Sequence, residues 1–357
     1  MALSKILPAS QEQYVGARNL IINGNMALSQ RNGTSSVTPT STSYTVDRWK
    51  ATIAASSKIS VQQSSTAPAD FYKSVLITSL ASTTVGSSDY YLFQQQIEGQ
   101  NMAHLNWGTA DAQSVTLSFW VRSSLTGTFG GSLGNSAFNH THPFEYTISA
   151  ANTWQKKEVT ISGPTSGTWL STNGIGIQLM IGLGSGSTYS GPAGSWAAAG
   201  YQTATGATQL VATSGATLYI TGVQLEVGEA TPFEHELFAV TQQKCFRYYY
   251  DAMYGNNDGQ AYSTARDAQY GHIRNCIAQF PVEMRATPSV SIQSGSANSM
   301  DRYGRGQELC YPKAENIQKS HWQNIVKYTS AAQTTTTNWQ DNGNYINRAG
   351  YKADAEL

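Results

Sequence analysis

Thr217-Leu218-Tyr219-Ile220-Thr221-Gly222-Val223-Gln224-Leu225-Glu226-Val227-Gly228, continued by Glu229-Ala230-Thr231-Pro232-Phe233-Glu234, reads as one long strand. It stops at a glycine and is held beyond it by a proline. Leu218 and Ile220 share one face. After Gly222 the apolar set moves to Val223, Leu225 and Val227, which is the opposite parity. A glycine at a parity switch predicts a bulge, through which one strand serves two parts of a sandwich. The chain before this strand reads as one β-domain that the strand closes. The chain beyond it has a different texture and reads as a second domain.

Working outward, further strands show the same alternation. Val115, Leu117, Phe119 and Val121 alternate with Ser114, Thr116, Ser118 and Trp120. Ile175, Ile177, Leu179 and Ile181 alternate with Gly176, Gln178, Met180 and Gly182. Val159 with Ile161, and Ile59 with Val61, make two more. Leu20-Ile21-Ile22 reads as a short strand, with Asn23-Gly24 as a tight turn after it. Short strands joined by Gly/Ser/Thr loops, with little helical period, predict an antiparallel sandwich or jelly roll. The expected architecture is all-β: an N-terminal jelly-roll β-sandwich and a smaller C-terminal β-sandwich. Residues 1–18 form an arm, 19–234 the jelly roll, 235–250 a linker with one or two helical turns, and 251–357 the C-terminal β-domain. Phe246 to Tyr250 reads as a strand.

Composition sets bounds on function. Lys+Arg and Asp+Glu are both 22 in 357 residues, so the net charge is zero. A nucleic-acid footprint needs a basic surplus, and none exists. Charged residues make up 12% of the chain, against about a quarter in ordinary domains. Yet 40% is hydrophobic, with 20 Tyr and 8 Trp, which fits a β-rich protein with neutral polar outer faces. Cys245, Cys276 and Cys310 give no disulfide framework and read as free thiols. The opening Met1-Ala2-Leu3-Ser4-Lys5-Ile6-Leu7-Pro8 lacks the long apolar core of a signal peptide, and no apolar run approaches membrane-spanning length. There is no fixed repeat of the kind that builds a β-helix.

Three groups of residues carry a resemblance. Asn19, Leu20, Asn23, Gly24, Gln30, Arg31 and Gly33, followed by Tyr44, Asp47, Arg48 and Trp49, resemble the opening of a jelly-roll module of phage virion proteins. Gln224-Leu225-Glu226 through Phe233-Glu234 resembles that module's last strand, so the likeness brackets residues 19–234. Cys245 to Tyr249, the stretch Phe280-Pro281-Val282 to Met284-Arg285 with Pro288 and Val290, and the end Ala353 to Leu357 resemble the C-terminal domains of phage fibres. The resemblance implies a tail fibre or receptor-binding fibre, assembled in the host cytoplasm into the virion. It implies a threefold homo-oligomer that contacts other virion proteins and attaches to host surface polysaccharide. Two rivals stand beside it: a capsid decoration or head-fibre protein with the jelly roll as scaffold, and a glycan hydrolase with a binding module.

A sugar site wants aromatic platforms beside neutral hydrogen-bonding groups. The candidates are Trp196, Tyr189 and Tyr201 in the Gly-rich stretch 182–216, together with Trp107 and Trp169. That stretch reads as a long loop or floppy hairpin, too rich in glycine for a packed layer. For Trp107, Trp154 and Trp169 the competing role is core packing or cover for an edge glycine, and Trp49 is assigned to the core. His140 and His142 lack a third metal-ligand pattern. No cofactor is expected, although Asp70, Asp89, Glu98 and Asp111 could supply oxygens to a structural Ca²⁺. Catalytic signatures are missing: there is no Gly-x-Ser-x-Gly, no His-Glu-x-x-His and no phosphate loop. No pair of acids is marked as a glycosidase dyad by its surroundings. Asp301 to Gly306 reads as a polar surface turn.

Overall fold

The computed structural model describes residues 18–252 and, beyond them, 262–263, 273–293, 299–300, 308–309, 315–319, 323–329 and 350–357. The arm at 1–17, the turn at 301–306 and Cys310 lie outside the described residues. The chain divides into two compact units, one comprising residues up to Thr241 with Leu357, the other Gln242–Glu356.

The first unit contains β1 (Ser43–Tyr44), β2 (Trp49–Ile53), β3 (Ile59–Ser64), β4 (Ser74–Ser79), β5 (Tyr90–Glu98) and a single helical turn, α1 (Gly99–Met102). It continues with β6 (Val115–Ser123), β7 (Gly127–Gly134), β8 (Thr141–Ile148), β9 (Gln155–Ile161), β10 (Ile175–Ser185), β11 (Ser190–Gly191), β12 (Thr203–Ala204) and β13 (Thr217–Val227). Beside a parallel pair of β11 and β12, two large sheets result, in the orders β1-β2-β5-β10-β7-β8 and β3-β4-β13-β6-β9. All their pairings are antiparallel. Val115, Leu117, Phe119 and Val121 of one sheet, and Ile177, Leu179 and Ile181 of the other, are buried in a shared core. The alternation read from the sequence is the alternation of this jelly-roll sandwich.

The closing strand β13 carries the expected bulge. Its register against β6 shifts between Thr221 and Gln224, and Gly222 has φ +60°. Leu218 and Ile220 are buried before the bulge, Val223 and Leu225 after it. On the other side, β4 accompanies β13 only over Thr217–Ile220. The N-terminal segment then takes over. Leu20 N–H donates to the Leu225 carbonyl at 2.9 Å, and Val223 N–H to the Gly24 carbonyl at 2.9 Å. The Asn19 side chain extends this edge, donating from Nδ2 to the Val223 carbonyl and accepting at Oδ1 from Leu225 N–H.

The expected strand at Leu20–Ile22 is instead a bend leading into the Asn23-Gly24 turn. The cause lies in its hydrogen bonds. Ile21 N–H donates to Asn19 Oδ1, and Gln95 both accepts from Ile22 N–H and donates to its carbonyl, each at 2.9 Å. With side chains meeting these groups, no ladder forms.

Asp47, Arg48 and Trp49 pack as a local unit. The Asp47 carboxylate accepts from the Gln30 backbone and side chain, and Arg48 Nη2 donates to the Gln96 carbonyl at 2.6 Å. Trp49 is fully buried and stacks on Phe93 with ring centroids 5.0 Å apart.

The stretch 182–216 differs from expectation: it is a packed layer. Gly182 and Gly184 lie within β10, and Leu183, Leu210 and Val211 are core residues. A Cβ on Gly182 would come within 2.7 Å of Thr203 Oγ1. The glycines are there because the covering chain lies directly on the sheet.

The helix α2 (Phe238–Phe246) is nine residues long. It consumes Phe246, so the strand expected over Phe246–Tyr250 is reduced to β14 (Tyr249–Asp251). The second unit adds β15 (Tyr262–Ser263), β16 (Ile273–Gln279), β17 (Ser289–Gln293), β18 (Ser299–Met300), β19 (Glu308–Leu309), β20 (Glu315–Lys319), β21 (Gln323–Thr329) and β22 (Gly350–Asp354). Its described residues are again β, with sheets β14-β22-β17, β15-β16-β21-β20 and β18-β19. Met284 is fully buried, and Arg285 donates from Nε and Nη2 to the carbonyls of Ala355 and Glu356.

Candidate functional site

Three of the five aromatic candidates meet. Trp107 follows α1, Trp169 lies in the β9–β10 connection and Trp196 in the β11–β12 connection. Their rings are mutually edge-to-face, with centroids 4.8 Å apart for Trp107–Trp169, 5.5 Å for Trp107–Trp196 and 5.3 Å for Trp169–Trp196. These are the separations at which the quadrupoles of two rings attract. Each indole N–H is already committed. Trp107 donates to the Gln113 carbonyl, Trp169 to Ser166 and Trp196 to Ser162, at 2.8, 3.1 and 2.7 Å.

Backbone bonds fix the connections. Thr141 and Ala197 exchange two hydrogen bonds, and Gly194 N–H donates to the Pro143 carbonyl. The β11–β12 connection thereby runs along β8, the edge strand of its sheet. Covering an edge in this way removes a template for unwanted pairing. Gly108 N–H donates to the Pro164 carbonyl, which draws the Trp107 turn against the Trp169 loop.

The two histidines join this cluster. His140 stacks on Trp196 at 5.7 Å with an interplanar angle of 18°, and meets Trp169 edge-on at 6.2 Å. His142 meets Trp196 at 5.2 Å. It is 4% exposed, and its Nδ1 has no hydrogen-bond partner. Burial lowers the His142 pKa from its usual value, and nearby backbone carbonyls only partly offset this. Among the described residues no three His, Cys, Asp or Glu side chains gather to hold a cation. Asp70 and Asp111 are exposed, Asp89 accepts from Gly86 N–H, and Glu98 is buried and partnered.

Trp107 is a core residue at 6% exposure, as the packing alternative for it holds. Trp169, Trp196 and His140 are half-buried and present ring surface to solvent, bordered by the exposed polar residues Asn139, Ser166 and Thr168. Such a surface can take the C–H face of a sugar ring, with hydrogen bonds from the neutral side chains around it. Tyr189 and Tyr201 do not join it. Tyr189 packs edge-on against Tyr90 at 5.5 Å. The Tyr201 ring lies over Gly191, where a Cβ would be 2.2 Å from ring carbon Cδ2. Trp154 packs against Tyr219 with centroids 6.1 Å apart. Sequence reasoning missed His140 as part of the aromatic surface. Its signal was position: it stands one residue before β8, beside the turn from β7.

The buried carboxylates of this unit are engaged in structural bonds. Glu226 accepts from Thr231 N–H, Thr231 Oγ1 and Gln224 Nε2, and Asp47 is held by Gln30.

No family model and no curated protein matches the chain. Among solved structures, it is similar to the enzymatically active domain of bacteriophage CBA120 tailspike protein 4 (13% identity, 59% of this chain, TM-score 0.33), and spans 21% of that chain. It is also similar to TmCBM61 in complex with β-1,4-galactotriose (10% identity, 59% of this chain and 100% of that one, TM-score 0.31). A third is the family 11 carbohydrate-binding module of Clostridium thermocellum (11% identity, 53% and 91% coverage, TM-score 0.28).

Proposed function

We propose that this chain is a non-catalytic adhesion protein of a phage virion, a tail or receptor-binding fibre subunit that holds host surface polysaccharide. The observation that carries the reading is the half-exposed surface of Trp169, Trp196 and His140, set on a rigid sandwich and bordered by uncharged polar groups. Ring faces with neutral hydrogen-bonding neighbours suit sugars, whose hydroxyls need partners and whose C–H patches need apolar cover. A balanced charge of 22 against 22 suits a neutral glycan better than a charged polymer. The binding, not hydrolytic, role is supported by the structural engagement of Glu226 and Asp47.

Assembly as a homo-oligomer, threefold in the fibre reading, is supported by exposed apolar residues: Leu237 (78% exposed), Phe238 (47%) and Val240 (41%). A shallow aromatic surface binds weakly by itself. Linked copies gain about 10²–10⁴ in avidity where their geometry matches the polymer.

The test uses the full chain on an array of host capsule and lipopolysaccharide fractions, beside Trp169→Ala. Loss of at least about tenfold in apparent affinity, with unchanged circular dichroism, is the expected result. Equal binding by the variant, or shortening of the polymer on incubation, would overturn the reading.

A further inference from the structure

The outer face of the sheet β3-β4-β13-β6-β9 shares no residue with the tryptophan surface. Alternation along each strand sends every second side chain there. Register then sets four of them side by side: Gln62 pairs with Leu76, Leu76 with Tyr219, and Tyr219 with Arg122. Their strand neighbours Val61, Ile77, Ile220 and Val121 are buried, whereas these four are half-buried. Trp154, directly before β9 and also half-buried, completes the row, with its ring edge-on to Tyr219 at 6.1 Å.

Arg122 is held in place twice. Its guanidinium lies over the Tyr219 ring, 5.1 Å from the centroid, and its Nε donates to the Asn152 carbonyl at 2.9 Å. A cation on a ring face and an anchored Nε fix the group before any ligand arrives. These contacts use the guanidinium plane and one nitrogen. The edge formed by Nη1 and Nη2 takes part in neither, and that edge meets a carboxylate through two parallel hydrogen bonds. No carboxylate belongs to the row. Glu158 stands opposite Ser118, farther along β6, and is engaged by Lys156 at 2.7 Å. Charge on this row is therefore positive, and it sits beside the rings of Trp154 and Tyr219, with Gln62 as a hydrogen-bonding group at the far end. A ligand that matches carries a carboxylate on a body with an apolar flat face and hydroxyls at its edge. A sugar acid has all three, a neutral sugar lacks the charge, and an acidic peptide side chain lacks the flat face.

We infer that this row binds an acidic sugar unit, a uronic or sialic acid, with its carboxylate on Arg122 and its ring against Trp154 and Tyr219. The site stands independently of the tryptophan surface. A net charge of zero governs attraction at a distance, whereas one guanidinium edge acts at contact.

The experiment titrates the full chain with D-glucuronate, D-galacturonate and N-acetylneuraminate by saturation-transfer NMR, each beside its uncharged methyl ester and with acetate as a ring-free carboxylate. At least one acid should bind saturably, about tenfold or more tighter than its ester. Arg122→Gln should abolish that preference and melt within a few degrees of the parent. Trp154→Ala should weaken the acid and its ester alike, while Trp169→Ala should leave both unchanged. The inference is overturned if no acid binds, if acid and ester bind equally to the parent, or if acetate binds as well as the sugar acids. It also fails if acid binding survives Trp154→Ala and that variant instead lowers the mass seen by light scattering, which would make the row a contact between copies. If Trp169→Ala alone removes the acid, the inference fails and the adhesion reading stands. If Arg122→Gln removes both acid and host polymer while Trp169→Ala removes neither, the adhesion reading fails in its choice of surface and the inference holds.

Discussion

Trp196 Nε1 donates to the Ser162 carbonyl at 2.7 Å, and with that bond a loop beside the edge of one sheet is fastened just past the end of the other sheet's edge strand. The loop itself is pinned to β8 through Thr141 and Ala197. Ser162 comes directly after β9. One indole thus bridges the loop on β8 and the end of β9 while part of its ring remains exposed. Trp196→Ala should cost about 1–3 kcal/mol of unfolding free energy, from lost contacts with Trp107, Trp169 and the two histidines. Urea unfolding followed by tryptophan fluorescence measures it. Trp169→Ala, whose indole bonds only within its own loop, should cost about half as much or less.

Gly222 is required twice over. Its φ is +60°, and an added Cβ would lie 2.6 Å from Phe71 Cζ. Gly222→Ala combines the left-handed penalty of about 1–2 kcal/mol with displacement of the half-buried Phe71 ring, for a total of about 2–4 kcal/mol. Gly228 has φ +76° and open space around it, so Gly228→Ala should carry the backbone penalty alone. Paired denaturant midpoints with unchanged m-values test the difference.

Legibility in the sequence divides along a physical line. Strands β3, β6, β9, β10 and β13 announced themselves because one face of each is apolar and the other carries small or polar residues, whether open as in β9 or covered as in β10, so the period of two is written in residue type. The bulge at Gly222 was legible because it flips that parity. Leu20–Ile22 misled because the amides of Ile21 and Ile22 are met by the side chains of Asn19 and Gln95, and no local pattern records a partner 73 residues away. The layer at 182–216 misled for the opposite reason. Glycine usually marks slack, whereas here it marks close approach, and only the position of Thr203 distinguishes the two. At the candidate site, residue type selected the tryptophans. Their convergence depends on three separate connections, and Tyr189 and Tyr201 sit in the same stretch as Trp196 without sharing its place.

Acid should weaken the sandwich through His142. Burial holds its folded-state pKa below the value of about 6.5 in the unfolded chain. The unfolded chain therefore takes up the proton first as pH falls. The stability this neutral ring contributes is complete above about pH 6.5 and is lost as pH drops through the folded-state value. Thermal melts of the parent across that window should fall more steeply than those of His142→Leu. Parallel curves for the two proteins would exclude His142 as the source.

The apolar run at the start of α2 should be covered in the assembled protein. Leu237→Asp and Phe238→Asp together should lower the number of associated copies seen by light scattering, while the melting of each chain's sandwich stays within a few degrees. An unchanged mass would remove this apolar run as support for association between copies.

Asn19 N–H donates to Glu234 Oε2 at 3.0 Å, so the chain enters and leaves the sandwich at a single corner. A pull applied to the segments on either side is taken up at that corner, by the Asn19 clamp on β13, and does not run through the interior. The module hangs from the chain at a node, so tension can pass between the flanking segments while Trp169, Trp196 and His140 keep their geometry.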